Sequence, residues 1–358
     1  MTTSVEKPKV FGTGLIALDL VMGIDPQSPV QSWAGGTCAN VLSILAFLGW
    51  DAFPITRMNG DPASERVKAG MVRWGVRLDF ASCGPTSDTP IIIQKIQRRR
   101  DGSLTHRFSW SCPRCGQWLP SFKAITLSAV EMVASSLPKS SVFFMDRLSR
   151  ATLSLAARAS AEGAVVVFEP SGKSGQKLFA EALQIAHIVK YSNQRLATAE
   201  GAMQGDSATL LEVQTLGAEG LRYRHRLGRT PSTWAQLNAV PAPMLADACG
   251  SGDWCTAGLV AKVATGGQAG FRSVGVAAIR RALRYGQALA AWNCGFEGAR
   301  GGMYAVEREI FEIQIKALLS GRKVVVTETA DADQAAVVAC PACPLDSPRG
   351  NIVASALG

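Results

Sequence analysis

The stretch Asp247–Ala248–Cys249–Gly250–Ser251–Gly252–Asp253–Trp254–Cys255–Thr256–Ala257–Gly258 decides how the rest of this chain is read. Two glycines bracket one small residue immediately before an apolar run. Such a turn can aim several backbone N–H groups at one point, and the helix that starts there adds its positive end. An anion would be stabilised at that point, including a phosphoryl group in transfer. Asp253 falls in the first turn of the expected helix, where a carboxylate commonly does no more than cap. Capping alone does not explain the paired glycines or the second aspartate, Asp247, upstream. Asp253 therefore reads as a general base that accepts a hydroxyl proton. Gly250, Ser251 and Gly252 read as the anion hole.

Working outward, short β-branched runs alternate with helical stretches. Strands are expected over 10–15, 52–56, 141–145, 164–168, 188–190, 210–213 and 323–327. The longer helices are expected over 38–48, 63–74, 251–265, 271–292 and 305–318. Repeated βα units imply an α/β fold, a three-layer sandwich with a mostly parallel central sheet. Strands over 89–97 and 104–110 flank an Arg-rich turn at Asp101–Gly102, which is a hairpin signal that does not fit that sheet. They read as part of a small projecting β lid, with lid elements around 17–36 and 88–118. Residues 1–328 form the core, and 329–358 an Ala-, Asp- and Pro-rich tail.

Composition bounds the function classes. With 47% hydrophobic and 18% charged residues in 358, the chain can build a sizeable core and is not globally disordered. The most apolar stretches carry Arg, Glu or Asp, so no membrane span is expected. No signal-peptide core precedes the first strand, so a cytoplasmic protein is expected. A net charge of +9 suits anionic ligands such as nucleotide phosphates. The basic residues are scattered, and the one tight run, Arg98–Arg99–Arg100, reads as a solvated face, so nucleic acid is not expected.

Two familiar signatures fail. Gly12–Thr13–Gly14–Leu15–Ile16–Ala17 matches a dinucleotide fingerprint, but Gly23, Asp25 and Pro26 arrive before a full helix can form, and no acidic residue ends the strand over 52–56. Ser171–Gly172–Lys173–Ser174 imitates the end of a P-loop, but the required earlier glycine is Val167, inside a strand.

The 247–258 segment resembles the second signature of the ribokinase-like (PfkB) carbohydrate kinases, D-T-x-G-A-G-D, with Ala248 for Thr and Ser251 for Ala. Other elements of that family follow in order. Gly35–Gly36–Thr37–Cys38–Ala39–Asn40 resembles its sugar-binding G-G-x-x-x-N, and Asp19 the Asp that ends the first strand. Asn59–Gly60–Asp61 resembles the G-D turn after the second strand. Thr215–Leu216–Gly217–Ala218–Glu219–Gly220 resembles its nucleotide-side T-x-G-x-x-G. Gln287 and Gly298–Ala299 match its adenine-side positions. The resemblance spans about 10–327. It implies a kinase moving the γ-phosphoryl group of ATP, with Mg²⁺, to a hydroxymethyl group of a sugar. Asp19, Gly35, Gly36 and Asn40 would hold the sugar. Asn193, Thr215, Gly217, Gly220, Gln287 and Gly298 would hold the nucleotide. A homodimer through the lid is a further expectation.

Alternatives remain open at this point. A nucleoside kinase of the same fold would need aromatic surface in the lid, which Trp33, Trp110 and Trp118 could supply. A ligand-sensing or scaffold protein with weak catalysis is suggested by one departure. The family's N-x-x-E motif reads Asn193–Gln194–Arg195–Leu196 here, with Glu200 one turn further on, and the family's Asp after the middle strand is Glu169. Magnesium would then rest on the nucleotide phosphates or on Glu169. Two Cys pairs are foreign to the family: Cys112–Pro113–Arg114–Cys115 and Cys340–Pro341–Ala342–Cys343. Such turns present two thiolates each, and together they could complete a tetrahedral structural Zn²⁺ site.

Overall fold

A computed structural model describes residues 6–25, 30–84, 87–100, 102, 104–113, 115–171, 175–199 and 201–326. β1 (Lys9–Thr13) opens the chain, then β2 (Ala17–Met22) and β3 (Gln31–Gly35) leave it for a separate sheet before α1 (Thr37–Phe47). β4 (Asp51–Pro54), β5 (Thr56–Met58), α2 (Pro62–Arg73) and β6 (Ala81–Cys83) lead to the hairpin β7 (Ile91–Arg98) and β8 (Leu104–Ser109). Alternation resumes with α3 (Leu127–Ala134), β9 (Val142–Met145), α4 (Arg150–Ala161), β10 (Val165–Phe168), α5 (Gln176–Ile185), β11 (Ile188–Ser192) and β12 (Leu211–Thr215). The strands β13 (Leu221–His225) and β14 (Ala235–Leu237) precede a helical end. It comprises α6 (Ser251–Val263), α7 (Gly267–Ser273), α8 (Val276–Asn293), α9 (Gly301–Ala305) and α10 (Arg308–Leu319).

The large sheet has eight strands in the order β14-β13-β12-β11-β10-β9-β1-β4, parallel from β4 to β12 and antiparallel beyond it. Its parallel strands are buried on both faces, which is why they read as unbroken apolar runs. Alternate residues feed two cores. Phe144, Val165, Val167 and Ile188 face the layer that holds α1, α6 and α8. Phe143, Val166, Phe168 and Val189 face the layer of α3, α4 and α5. The lid is a four-stranded sheet, β3-β2-β7-β8. It joins the hairpin to two strands that lie over fifty residues earlier in the chain.

Local chemistry sets the boundaries. Asp61 caps α2, its Oδ1 accepting from Ser64 N at 2.7 Å, with Pro62 in the first turn; the Asn59–Gly60–Asp61 turn thus starts a helix. Ser149 caps α4 in the same way, accepting from Thr152 N at 3.1 Å. Four expectations need correction. The helix expected over 271–292 is two, α7 and α8, because the chain turns extended between them and α8 restarts at Gly275. The helix expected from 305 begins at Arg308, after the short α9. Residues 323–326 form no strand. Asp19, expected to end the first strand, lies within β2 of the lid. No helix among the described residues is long and apolar enough to cross a membrane.

The tightest helix contact is α6 on α8, where two glycines meet. A Cβ at Gly258 would lie 2.6 Å from Gly286 Cα, and one at Gly286 would lie 2.5 Å from the Cys255 carbonyl oxygen. That approach holds the helix bearing Asp253 against the helix bearing Gln287. Gly286→Leu should force the pair apart and lower stability by about 1–3 kcal/mol, the usual cost of overpacking. Denaturant unfolding with an unchanged midpoint would show that the contact is not tight.

Candidate active site

The turn before α6 is built on a buried carboxylate. Asp247 Oδ1 accepts from Cys249 N at 2.9 Å, and Oδ2 accepts from Gly298 N at 3.0 Å and from Gln94 Nε2 at 2.5 Å. His106 Nδ1 of the lid lies 3.3 Å from Oδ1. Gly250 takes a left-handed φ of 74°, and a Cβ there would lie 2.2 Å from the Ala299 carbonyl oxygen. Only glycine fits such a position. Trp254 Nε1 donates to the same carbonyl at 3.1 Å, locking the turn to the 298–299 loop. The result is the expected arrangement: Gly250, Ser251 and Gly252 at the N-terminus of α6, with Asp253 in its first turn.

Asp253 is buried, and its Oδ2 accepts from Asn40 Nδ2 of α1 at 2.7 Å. Burial pushes its carboxyl up to about 7, and the charge of Glu169 adds to that rise. The Asn40 bond, Lys190 and Arg195 oppose it. Behind it sits a buried set that the sequence reading did not assemble. Lys190, only 1% exposed, donates to Glu169 Oε1 at 2.7 Å, and Thr256 Oγ1 bonds Glu169 Oε2. The available signal was a lysine inside an otherwise apolar strand, because a charge survives there only when paired.

A cavity of about 750 Å³ runs from the lid to the far side of the turn, lined at one end by Asp19 and at the other by Thr215 and Gln287. Asp19 is buried, and its Oδ1 has no partner; burial raises its carboxyl to about 7, against the pull of the Gly36 N–H and of Arg300. Asn40 Oδ1 is likewise buried and unpartnered. Gly36 and Asn40 line the cavity, whereas Gly35 acts beneath it: a Cβ there would lie 1.8 Å from Asp19 Oδ2. Its glycine makes room for the carboxylate.

At the other end, Thr215, Gly217, Gly220 and Gln287 line the cavity together, and Gln287 Oε1 is buried without a partner. Two expected nucleotide residues do not join them. Asn193 is exposed, and its neighbours Ser192, Gln194 and Arg195 line the wall instead. Gly298 serves the turn, donating to Asp247 and packing against the Trp33 ring. Trp33 stacks on Tyr304 with centroids 4.9 Å apart, so it belongs to the lid's seat. Trp118 is 78% exposed and outside the cavity, whereas Trp110 lines it.

The departure at Leu196 has a physical answer. Leu196 is buried in the apolar layer on the α5 side, with Leu183, Tyr191 and Ala199. The residue beside it, Arg195, faces the cavity and acts electrostatically on Asp253 and Asp146. Both oxygens of Glu169 are engaged. Among the described residues, no group of three or more His, Cys, Asp or Glu side chains is arranged to hold a metal ion. With both Glu169 oxygens bonded, a magnesium ion arriving with a nucleotide would be held chiefly by the nucleotide's own phosphates. Glu200 lies outside the described residues. So do Cys340 and Cys343. Cys112 is buried at a tight turn closed by Gly116 N donating to its carbonyl at 2.9 Å, with Cys115 half-buried beside it.

Comparison with known proteins gives this geometry a family. The model for pfkB family carbohydrate kinases matches residues 23–304. No curated relative matches the sequence. Among solved structures, a fructokinase with bound ATP from Xylella fastidiosa is 18% identical, with a TM-score of 0.66, covering 88% of this chain and 99% of its own. The ribokinase of Arabidopsis thaliana, complexed with ribose and ATP, is 16% identical with a TM-score of 0.62, covering 88% and 99%. The aminoimidazole riboside kinase of Salmonella enterica, complexed with its riboside and an ATP analogue, is 21% identical with a TM-score of 0.60, covering 87% and 99%. The chain belongs to the pfkB carbohydrate kinase family.

The buried Asp19 carboxyl makes a testable claim about stability. Unfolded, it titrates near 3.8; folded, near 7. A raised carboxyl favours folding when protonated, so its contribution is full below the unfolded value and is lost as the pH rises through 7. Asp19→Asn keeps the shape without the charge. Its melting temperature should exceed that of the wild type at pH 8, and the gap should close as the pH is lowered toward 4. A gap that is constant with pH, or widest in acid, would contradict a buried, desolvated carboxylate at this position.

Proposed function

We propose that this kinase-family chain transfers the γ-phosphoryl group of ATP to a hydroxymethyl group of a sugar moiety, with Asp253 as the general base. One observation carries the reading. A buried carboxylate, pinned by Asn40, sits in the first turn of α6 beneath the Gly250–Gly252 amides, and it shares a cavity with a second buried carboxylate, Asp19. The unpartnered oxygens of Asp19 and Asn40 are suited to accept hydrogen bonds from vicinal hydroxyls.

In this reading Asp253 takes the proton of the attacking hydroxyl. The oxygen forms a bond to the γ-phosphorus, and the bond from that phosphorus to the β,γ-bridging oxygen breaks, releasing ADP. Charge that builds on the γ-phosphoryl oxygens meets the N–H groups of Gly250 and Gly252 and the guanidinium of Arg195, whereas the Ser251 N–H already donates to the Ala248 carbonyl at 3.3 Å. Asp253 titrating near 7 suits the task, because a base works best with a value close to the working pH. Hydroxyl donors arriving at Asp19 and Asp253 favour their ionised forms, so acceptor binding itself readies the base. The lid excludes water, which would otherwise compete for the phosphoryl group.

Two measurements test this. Asp253→Asn should lower kcat by about 10²–10⁴-fold or more while acceptor binding is largely kept. In the wild type, kcat/KM should fall as the pH drops through about 7, since the base must be ionised. A variant that keeps half of the wild-type kcat would remove Asp253 from that role.

Arg195→Ala should cost roughly 10²-fold in kcat, the scale of losing one group that stabilises transition-state charge. It should also shift the acid limb of the pH profile to higher pH, because Arg195 favours the ionised form of Asp253. Arg195→Lys should restore part of both. A fall in rate with an unmoved profile and no rescue by lysine would indicate a structural role only. A ligand-sensing protein without catalysis would bind both ligands and turn over neither.

A further inference from the structure

The acceptor end of the cavity has a wall whose chemistry is unlike the hydroxyl-binding end. In the lid sheet, Asp19 of β2 pairs with Ile92 of β7, Gln94 with Phe108 of β8, and Ile96 with His106. Residues paired across strands share a face, and along a strand every second residue returns to it. Asp19, Ile92, Gln94, His106 and Phe108 therefore occupy one face of the lid. Trp110 continues the row just past the end of β8.

Asp19, Ile92, His106, Phe108 and Trp110 all line the cavity. The His106 and Phe108 rings lie 5.0 Å apart, tilted by 57°. Phe108 is half-buried, and Trp110 is 48% exposed, so both keep ring surface that the protein leaves uncovered.

The charges of the lid point elsewhere. Lys95 and Arg107 are cross-strand partners on the opposite face, and Arg107 is exposed. The one arginine lining the cavity near Leu15, Arg147, is bonded to Asp146 at 2.7 Å. An acceptor carrying a second phosphate at this end would meet aromatic rings in place of a lid cation. A bare sugar would leave those rings facing water. A flat, neutral ring fits the wall, because aromatic faces stack on aromatic faces and gain by shedding water.

We infer that the acceptor is a riboside bearing a flat heteroaromatic ring, such as a nucleoside. Asp19 takes the sugar hydroxyls, and Phe108 and Trp110 of the lid take the ring. This deepens the phosphotransfer reading and rests on it only in assigning the Asp19 end of the cavity to the acceptor. Phe108 and Trp110 are then specificity-determining residues, and neither touches the transferred group.

The test separates binding from chemistry. Calorimetry without ATP compares adenosine, inosine, cytidine and uridine with D-ribose and D-fructose. At least one nucleoside should bind tenfold or more tighter than either free sugar, the scale expected when one base stacks on aromatic side chains. Phe108→Ala should erase most of that advantage, and Phe108→Tyr should restore it. Trp118→Ala, at an exposed position outside the cavity, should leave it intact. Circular dichroism confirms that the variants fold, and if Phe108→Ala does not, Phe108→Leu takes its place. D-ribose or D-fructose binding as tightly as every nucleoside overturns the inference, as does an advantage indifferent to Phe108. Nucleoside binding without any phosphorylation would overturn the kinase reading and leave the acceptor assignment standing. Phosphorylation confined to free sugars would do the reverse.

Discussion

The Asp247 carboxylate is the interaction on which the rest of this molecule depends. It is almost fully buried, and it is bonded by three separate parts of the chain: Cys249 N of its own turn, Gly298 N of the loop after α8, and Gln94 of the lid. A buried carboxylate is costly unless its oxygens are satisfied, and charge-assisted bonds to two backbone amides and an amide side chain satisfy it. Losing any one partner would leave a desolvated charge. The lid, the turn before α6 and the 298–299 loop are thereby fixed in one arrangement, and the lid cannot move far without breaking a bond to the carboxylate that the turn also uses. His106, whose Nδ1 lies 3.3 Å from Asp247 Oδ1, also lines the cavity, so the lid wall and the turn before α6 meet at one carboxylate.

A second constraint is electrostatic. Asp19, Asp146 and Asp253 are all buried, and burial raises all three to about 7. Each has a different counterweight. Asp146 has Arg147 and Leu15 N, Asp253 has Asn40 with Lys190 and Arg195, and Asp19 has the Gly36 N–H and Arg300. The Lys190–Glu169–Thr256 set sits next to Asp253 and does two opposing things. Glu169 discourages ionisation of the base, and Lys190 encourages it. Burial is the larger influence on Asp253, and the paired Glu169 and Lys190 pull against each other within it. With Arg195 on the cavity wall, the end near Asp253 is suited to bind anionic phosphates directly.

The fold and the turn before α6 were legible in the sequence for physical reasons, and the omissions have physical reasons too. Parallel strands buried on both faces appear as short apolar runs between helices, so the βα repeat was readable. A glycine pair before an apolar helix carries its own geometric meaning, so the turn at Gly250–Gly252 and the place of Asp253 in the first turn of α6 were readable without a structure. The lid was readable as a hairpin, because Asp101–Gly102 marks the turn, but its four-stranded sheet depends on pairing β2 with β7, about seventy residues later. No local pattern reports such a pairing. The Lys190–Glu169–Thr256 set joins three elements in the same way. Position in a motif does not report surroundings: Asn193 is exposed beside the cavity wall, and Gly298 N donates to Asp247. Leu196 shows the same, since a one-residue step along the loop moves the wall of the cavity to Arg195 and sends Leu196 into the core.

These features combine into an ordering of events that the geometry favours. In the empty site, two carboxylates near 7 share one cavity, and each resists ionisation because water has been removed from it. An acceptor that brings hydroxyl donors to Asp19 lowers the cost of charge there, and a hydroxyl set before Asp253 does the same at the base. The acceptor must also cover the aromatic lid row if it is to exclude water from the anion hole, since exposed rings leave the mouth of the cavity wet. Discrimination against water would then come from the same contacts that select the acceptor. On the proposed phosphotransfer reading, a ligand too small to cover the row would leave a path for water to the phosphoryl group, and size selection at the lid and suppression of ATP hydrolysis would be one property of the β8 face.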